Sequence, residues 1–259
     1  MKKMLCLALS LMMLLSISAV AATEQGISEE ATMTDEILDS LTMDDYADAY
    51  DDLEGVIYSQ DLTEDEKNQL AVEKYTEIYY QKLITPAPFS YDYDILPDPD
   101  KFLNDKEKAM AKENPLQAST VYNCARIATN KTRSLYNTGN YGGTGNDGGE
   151  HNGNADAFRH MMWSALLTKE FSVFGTDFAN GRTVAKKWTD AHEGTPGNPA
   201  IEKEMDLKNN TIGRNLVTAQ LNTNDKIATA CKNKVSAGGG YRINKDTNKL
   251  IPTNKDGLK

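Results

Sequence analysis

The spacing of apolar residues in the first third of the chain predicts amphipathic helices. Across residues 34–59, apolar side chains recur every three or four positions in an acidic background, which is the period of a helix with one buried face. Thr63 and Glu66 form a capping box that opens a further helix. We expect that helix to end near Ile84, because prolines follow it.

The pattern after residue 100 predicts further helices separated by glycine-rich loops. Loops are indicated at 138–154 and 194–199, and Tyr241 to Ile251 is typical of a β-hairpin. The fold class is therefore mainly α, a helical domain with glycine-rich loops and a small C-terminal β-hairpin. The helices are predicted at about 100–113, from Pro115 to about Leu135, and at about 155–172, 177–193 and 200–221.

The N-terminus has the pattern of a signal peptide. Lys2 and Lys3 precede an apolar run from residue 4 to about residue 15, and small residues follow up to Ala21. We therefore predict a signal peptide at 1–21, cleavage near Ala21 and a secreted, extracellular protein. No later stretch approaches the roughly 20 apolar residues that a membrane span requires, so no transmembrane segment is expected.

Charge divides the rest of the chain into two parts. Residues 23–100 contain 22 acidic residues and 3 lysines, whereas residues 101–259 contain 16 acidic residues and 23 lysines and arginines. With the proline-rich stretch near 85–100, this predicts an acidic helical region at 22–100 and a basic helical functional domain at 101–259. The acidic region is either a solvated segment or one that masks the basic domain within the same molecule.

Two cysteines remain after removal of the signal peptide. Cys124 and Cys231 are a candidate disulfide, because an exported protein enters an oxidising environment. The alternative is a pair of buried thiols.

The predicted helix at 155–172 carries Asp156, Arg159 and His160 in its first turns. Asp156 and His160 lie four positions apart, so the carboxylate can orient the imidazole as general bases and metal ligands require. Arg159 can bind an anion or pair with Asp156. Alternatively, Asp156 favours the helix N-terminus electrostatically and His160 is a core residue.

Two further helices offer polar residues. His192 lies on the apolar face of its helix next to Glu193, and could serve in chemistry or as a cation at a helix C-terminus. On the next helix a polar strip is either a solvated face or part of a site. Its members are Asp206, Asn209, Asn210 and Gly213, followed by Arg214. Gly213 predicts close approach of another helix or a ligand, because glycine within a helix costs about 1 kcal/mol relative to alanine.

These residues suggest two cation sites. Zinc could bind His160, His192 and Asp206, since imidazole and carboxylate suit that metal. Calcium could bind the alternating oxygens of Glu150, Asn152, Asn154 and Asp156, although the spacing lacks the glycine and distant glutamate of an EF-hand.

Three motifs together resemble a family. Asp-Ala-Phe-Arg-His at 156–160 with Trp163, Ala-His-Glu at 191–193, and Met-Asp-Leu-x-Asn-Asn-x-x-Gly-Arg at 205–214 are similar to a bacterial domain-of-unknown-function family found in exported and toxin-like proteins. The resemblance covers roughly residues 120–220. It implies a shared site more than a particular activity.

Two functions are compatible with these features. The first is a hydrolase whose catalytic groups are Asp156, His160, His192, Glu193 and Asp206, either as an acid and base pair or around one divalent metal. Its substrate would be anionic, a lipid, a nucleic acid or a wall polymer, held by Arg159, Asn209, Asn210 and Arg214. The second is a non-enzymatic exported binding or structural domain in which the same groups form a buried network.

Overall fold

The computed structural model describes residues 32–84, 103–137, 151–172, 175 and 177–259. The predicted signal peptide, the proline-rich connector and most of the first glycine-rich loop lie outside these residues. The described residues form nine helices and two strands: α1 Asp35–Ser40, α2 Met43–Ile57, α3 Glu64–Ile84, α4 Asp105–Glu113, α5 Pro115–Leu135, α6 Asn154–Glu170, α7 Phe178–His192, α8 Ala200–Leu216, α9 Asn224–Ser236, β1 Tyr241–Asn244 and β2 Lys249–Pro252.

The predicted fold class is confirmed. The described chain is mainly helical, and β1 and β2 pair as the expected antiparallel hairpin, with Tyr241 opposite Pro252. Asn244 shapes the turn, because its side-chain Oδ1 accepts hydrogen bonds from the backbone N–H groups of Asp246 and Thr247. The prediction was wrong for the end of α8, which stops at Leu216 rather than near 221. There Val217 turns into an extended conformation and its carbonyl accepts a hydrogen bond from Arg182.

Helix α6 lies at the centre of the fold. Fourteen of its seventeen residues are buried, as expected of a helix that is apolar on nearly every face. It packs against α5, α7, α8, α9 and β1. A polar group in its first turns is therefore surrounded by protein on several sides.

Glycines set the distance between α6 and two of its neighbours. A Cβ atom at Gly213 of α8 would lie 2.1 Å from the carbonyl oxygen of Met161, and one at Gly181 of α7 would lie 2.2 Å from that of Thr168. Both distances are far inside van der Waals contact. The two glycines therefore let the backbones of α7 and α8 approach α6, as predicted for Gly213.

The acidic helices share a core with the basic part of the chain. Tyr46 of α2 is fully buried, and its ring packs against Tyr75 of α3 and Tyr122 of α5. The hydroxyl of Tyr75 donates a hydrogen bond to the carbonyl of Pro115 at 3.0 Å. Residues Met33–Lys259 accordingly form one compact unit.

Ion pairs surround this core. Arg126 of α5 binds Asp48 at 2.6 Å and Asp51 at 3.1 Å, and Lys112 of α4 binds Asp35 at 2.8 Å. The acidic partners are well exposed, and such pairs contribute only about 0–1 kcal/mol each. Apolar burial therefore contributes more than charge to holding α1–α3 in place.

The disulfide prediction was wrong. Cys124 and Cys231 are free, buried thiols, and burial raises the pKa of both, that of Cys231 to about 12. Cys124 on α5 has Glu170, at the end of α6, as an electrostatic neighbour, whereas Cys231 on α9 lies near Tyr136, whose ring packs on Phe158. Phe158 and Glu170 are about 18 Å apart along the helix axis, so the thiols lie near opposite ends of α6.

None of the described helices combines the length and the apolar character that a membrane span needs.

Candidate functional site

The start of α6 fixes the position of Asp156. Asn152 adopts a left-handed backbone conformation with φ of 63° just before the helix, and its backbone N–H donates a 2.6 Å hydrogen bond to Asp156 Oδ2. An aspartate in the first turn is also favoured by the helix dipole. The other carboxylate oxygen of Asp156, Oδ1, faces Arg159 and His160 in the next turn of α6.

Asp156, His160 and Asp206 converge below the surface. His160 Nε2 lies 3.3 Å from Asp156 Oδ1 and 3.3 Å from Asp206 Oδ1. One potential ligand atom from each residue lies within 4.8 Å of the others. Only 3% of His160 and 8% of Asp206 is exposed, and the α6–α8 contact at Gly213 brings the two helices together.

Arg159 is a cation in direct contact with this cluster. Its Nη2 donates hydrogen bonds to Asp156 Oδ1 at 2.6 Å and to His160 Nε2 at 2.9 Å. Nε2 is then an acceptor, which places the imidazole hydrogen on Nδ1. The Arg159 side chain is 25% exposed, so the guanidinium reaches from the cluster to solvent.

The two aspartates differ in acidity. Burial alone would raise the pKa of Asp156, but Arg159, His160 and the N–H of Asn152 together hold it well below its ordinary value. Burial raises the pKa of Asp206 well above its ordinary value, and repulsion from Asp156 and Glu193 adds to this. The cluster therefore contains more buried carboxylate than its one arginine can neutralise.

Glu193 lies on the other side of the imidazole. Its Oε1 is 3.5 Å from His160 Nδ1 and accepts a 3.0 Å hydrogen bond from the side chain of Asn210 on α8. In the described part of the chain, three buried atoms here have no hydrogen-bond partner: His160 Nδ1, Asp206 Oδ1 and Asn210 Oδ1. Buried polar atoms are normally paired, so three such atoms in one cluster need an explanation.

His192 lies in a neighbouring pair rather than in the cluster. Its Nδ1 donates a 3.0 Å hydrogen bond to Glu107 of α4, and its ring packs edge-on against Trp163. Burial alone would lower the pKa of His192, but Glu107 raises it to about 9. His192 is therefore a cation at neutral pH, and 31% of its side chain is exposed.

Glu107 is a site residue that was not predicted from the sequence. This carboxylate is 1% exposed and also accepts hydrogen bonds from the Tyr122 hydroxyl at 3.3 Å and the backbone N–H of Asn104 at 3.1 Å. The spacing of Asn104 and Glu107 is that of a capping box, which could have predicted the start of α4. That signal does not predict contact with a histidine 85 positions further along the chain.

The other predicted residues have partners within the protein. The Asn209 side chain pairs with the backbone of Tyr241 in both directions, at 2.9 and 3.0 Å, and so attaches β1 to α8. Arg214 is buried and donates to the hydroxyls of Thr189 and Thr211. For Asn209, Asn210 and Arg214, substrate binding stays a prediction.

The described members of the predicted calcium loop point to different partners. The side-chain amide of Asn152 donates to Glu202 at 2.9 Å, whereas that of Asn154 donates to Asn254 at 2.5 Å. Glu150 lies outside the described residues. Of the two predicted cation sites, the histidine and carboxylate cluster is the one whose ligand atoms converge, with Asp156 in the place predicted for His192.

The fold and this cluster define a helical domain with a buried histidine and carboxylate site. The chain belongs to the family described as Domain of unknown function (DUF6973), whose sequence model matches residues 108–239. The match includes every predicted site residue that the structure describes from Asp156 to Arg214, and it begins one residue after Glu107. No solved structure matches the chain.

Proposed function

We propose that the protein is an exported hydrolase that acts on an anionic substrate at the cluster of Asp156, His160, Glu193 and Asp206. In this proposal it is one of the bacterial, toxin-associated members of its family. The observation that carries the proposal is the set of buried atoms without hydrogen-bond partners, above all Asp206 Oδ1. A carboxylate buried beside another carboxylate destabilises the fold, and such strain is typical of sites kept for chemistry.

Hydrolysis at this site needs a water molecule that loses a proton. The water oxygen forms a bond to the carbonyl carbon or phosphorus of the substrate, and the bond to the leaving oxygen breaks with both electrons on that oxygen. Either His160 or a bound cation can activate the water. His192 is protonated at neutral pH, as its raised pKa of about 9 requires, and it is our candidate for returning a proton to the leaving oxygen.

The charge of the surrounding chain supports an anionic substrate. Residues 101–259 carry 23 basic residues against 16 acidic ones, and the partly exposed Arg159 lies where a substrate could reach the cluster. Phospholipid, nucleic acid and wall polymer all carry the required charge, and an exported enzyme can meet each of them.

A non-enzymatic exported binding or structural domain is the second candidate, and the burial of the cluster favours it. In that case the hydrogen bond from Asn210 to Glu193 and the contacts of His160 fix how α6, α7 and α8 pack. The two candidates differ in what Asp206 does for stability. A structural group stabilises the fold, whereas a catalytic group buried without a hydrogen bond costs stability.

The experiment compares the wild type with Asp206→Asn and, as a matched control, Glu204→Gln on the same helix. Glu204 is exposed and pairs only with Lys208 in the described contacts. Each protein is assayed against phosphatidylglycerol vesicles, single- and double-stranded nucleic acid and an anionic wall polymer, and its unfolding is measured in urea with chelator present.

We expect the wild type and Glu204→Gln to hydrolyse the same substrate at rates within about twofold. Asp206→Asn should lose at least about 100-fold of that activity, because the site would lose a carboxyl group that takes part in the reaction, and it should be no less stable than the wild type. An inactive wild type together with a destabilised Asp206→Asn would overturn the proposal in favour of the structural network.

A further inference from the structure

We infer that Asp156 Oδ1, His160 Nε2 and Asp206 Oδ1 bind one divalent transition-metal ion, with Zn²⁺ the best fit. The role of this ion in catalysis rests on the hydrolase function proposed above, whereas its binding does not. The set of ligand atoms includes a buried imidazole nitrogen and a buried carboxylate oxygen that has no hydrogen-bond partner among the described residues.

The distances between the three atoms suit a tetrahedral ion. His160 Nε2 lies 3.3 Å from each aspartate oxygen. A zinc ion binds nitrogen and oxygen at about 2.0–2.2 Å, so neighbouring corners of its tetrahedron are separated by about 3.3–3.5 Å. Both aspartate oxygens already lie at that separation from the imidazole nitrogen, and one potential ligand atom from each of the three residues lies within 4.8 Å of the others.

Among the described residues, the buried carboxylates of the site outnumber the one arginine that contacts them. Asp156, Glu193 and Asp206 are all buried, and Asp206 Oδ1 accepts no hydrogen bond from any described residue. His192 does not fill this need, because Glu107 already binds it. Burying charge is costly unless it is paired or bound to a metal, so a cation between the two aspartates would remove the main electrostatic cost of the cluster.

Arg159 currently lies where the ion would bind. Its Nη2 contacts two of the three ligand atoms, Asp156 Oδ1 at 2.6 Å and His160 Nε2 at 2.9 Å. The side chain is partly exposed, so it can swing towards solvent when a metal ion enters. Arg159 and the ion should therefore compete for the same two atoms.

The surroundings of His160 fit a metal ligand. A ligating histidine usually donates its other ring N–H to a carboxylate, which orients the ring. Glu193 Oε1 lies 3.5 Å from His160 Nδ1, and the Asn210 amide holds Glu193 at 3.0 Å. A small rotation of the imidazole towards Glu193 would complete that hydrogen bond.

The ligand types select the ion. One imidazole and two carboxylates suit Zn²⁺ better than Ca²⁺, which takes six to eight oxygen ligands. Three protein ligands leave a fourth position for water, as in catalytic rather than structural zinc sites. His192 is not in the set, which corrects the ligand trio expected from the sequence: its Nδ1 binds Glu107.

The test is equilibrium dialysis and calorimetry of the chelator-treated full chain with ZnCl₂, at pH 7.5. We expect one ion per chain for the wild type and for the control Glu204→Gln. Asp206→Asn and His160→Gln should each weaken binding by about 100-fold or more, since each removes a ligand. Circular dichroism and urea unfolding show whether each variant is folded.

Arg159→Met gives a second, independent measurement that does not depend on removing a ligand. It removes the competing guanidinium and should tighten Zn²⁺ binding by about tenfold, because one fewer bound cation must be displaced. Co²⁺ in place of Zn²⁺ should give visible d–d absorption in the wild type and a stronger signal at lower Co²⁺ concentration in Arg159→Met. Weaker binding in Arg159→Met would overturn the inference.

Failure of the metal site and failure of the proposed function are distinguishable. Stoichiometric Zn²⁺ binding without hydrolysis of any substrate would support the site and end the hydrolase proposal. Hydrolysis that persists at full rate in chelator, with no ion bound at millimolar Zn²⁺, would overturn the metal site and leave His160 as the base. Binding that is unchanged in both Asp206→Asn and His160→Gln would also overturn it.

Discussion

Replacing Gly213 with alanine tests whether the α6–α8 contact positions the candidate site. The added Cβ would lie 2.1 Å from the carbonyl oxygen of Met161 and 2.3 Å from Ser164 Oγ. The serine can rotate, but the backbone oxygen belongs to a buried helix. The two helices must therefore separate by about 1 Å or more to restore an ordinary contact distance.

Two opposing contributions set the change in the free energy of unfolding that Gly213→Ala causes. Alanine favours a helix by about 1 kcal/mol relative to glycine. Against this, overpacking of a tight core contact costs about 1–3 kcal/mol. Separation of the helices also weakens the 2.9 Å hydrogen bond from Ser164 Oγ to the Asn210 carbonyl, which contributes about 0.5–1.5 kcal/mol. We expect a net loss of about 2 kcal/mol in the free energy of unfolding.

Gly55 of α2 is the matched control. It is also a helical glycine, but a Cβ there would have no neighbour within 4 Å. Gly55→Ala should therefore stabilise the protein by about 0.5–1 kcal/mol. The substitution of glycine by alanine should therefore stabilise the protein at Gly55 and destabilise it at Gly213.

The assay is urea unfolding followed by circular dichroism, with Zn²⁺ affinity measured on the same samples. Asp206 lies seven residues before Gly213, about 10 Å along the helix, so separation of the helices should also weaken Zn²⁺ binding by about tenfold. If Gly213→Ala were as stable as the wild type while Gly55→Ala behaved as expected, the contact at Gly213 would not be the tight one described here.

Three further predictions concern other parts of the structure. Glu107→Gln removes the carboxylate that raises the pKa of His192 to about 9, so NMR titration of the ring should show a pKa closer to 6.5. A histidine whose pKa is higher in the folded state stabilises the fold fully below about pH 6.5 and no longer does so above about pH 9. The difference in the free energy of unfolding between the wild type and the variant should therefore shrink from about pH 6.5 to about pH 9. A difference that does not change with pH would contradict the pairing of His192 with Glu107. Cys124 and Cys231 should both be alkylated by iodoacetamide in denaturant without reductant, and a crosslinked peptide that reductant separates would show instead that they form a disulfide. Tyr46→Ala should cost about 3–5 kcal/mol, because it removes a fully buried ring, and a loss below about 1 kcal/mol in urea unfolding would mean that α2 is not part of the core.

The helices and the pairing of Asp156 with His160 could be predicted from the sequence, because both depend on local spacing. Asp156 and His160 are four residues apart on one helix, and Asp206 faces inward on another. The partner of His192 could not be predicted, because Glu107 comes from a distant helix and its local pattern indicates only a cap. A long-range contact of this kind depends on how the helices pack.

The pairing of the cysteines is a second feature that could not be predicted from the sequence. An even number of cysteines in an exported chain favours a disulfide, but the pattern contains no information about which end of α6 each residue faces. Cys124 lies near Glu170 and Cys231 near Tyr136. The two thiols lie near opposite ends of the buried central helix, too far apart for a bond, and this arrangement becomes known only in three dimensions.

The shared tyrosine core also bears on how the chain folds during synthesis. Tyr46 packs against both Tyr75 and Tyr122, and Tyr122 comes last in the chain, so α2 and α3 are made well before the helix α5 that completes their core. Until then these rings are exposed, and exposed aromatic surface promotes self-association of nascent chains. Residues 23–100, which include α2 and α3, carry 22 acidic residues against 3 lysines, so copies of this segment repel one another. The acidity of the N-terminal helices therefore suits a segment that must stay soluble until the rest of its core has been synthesised.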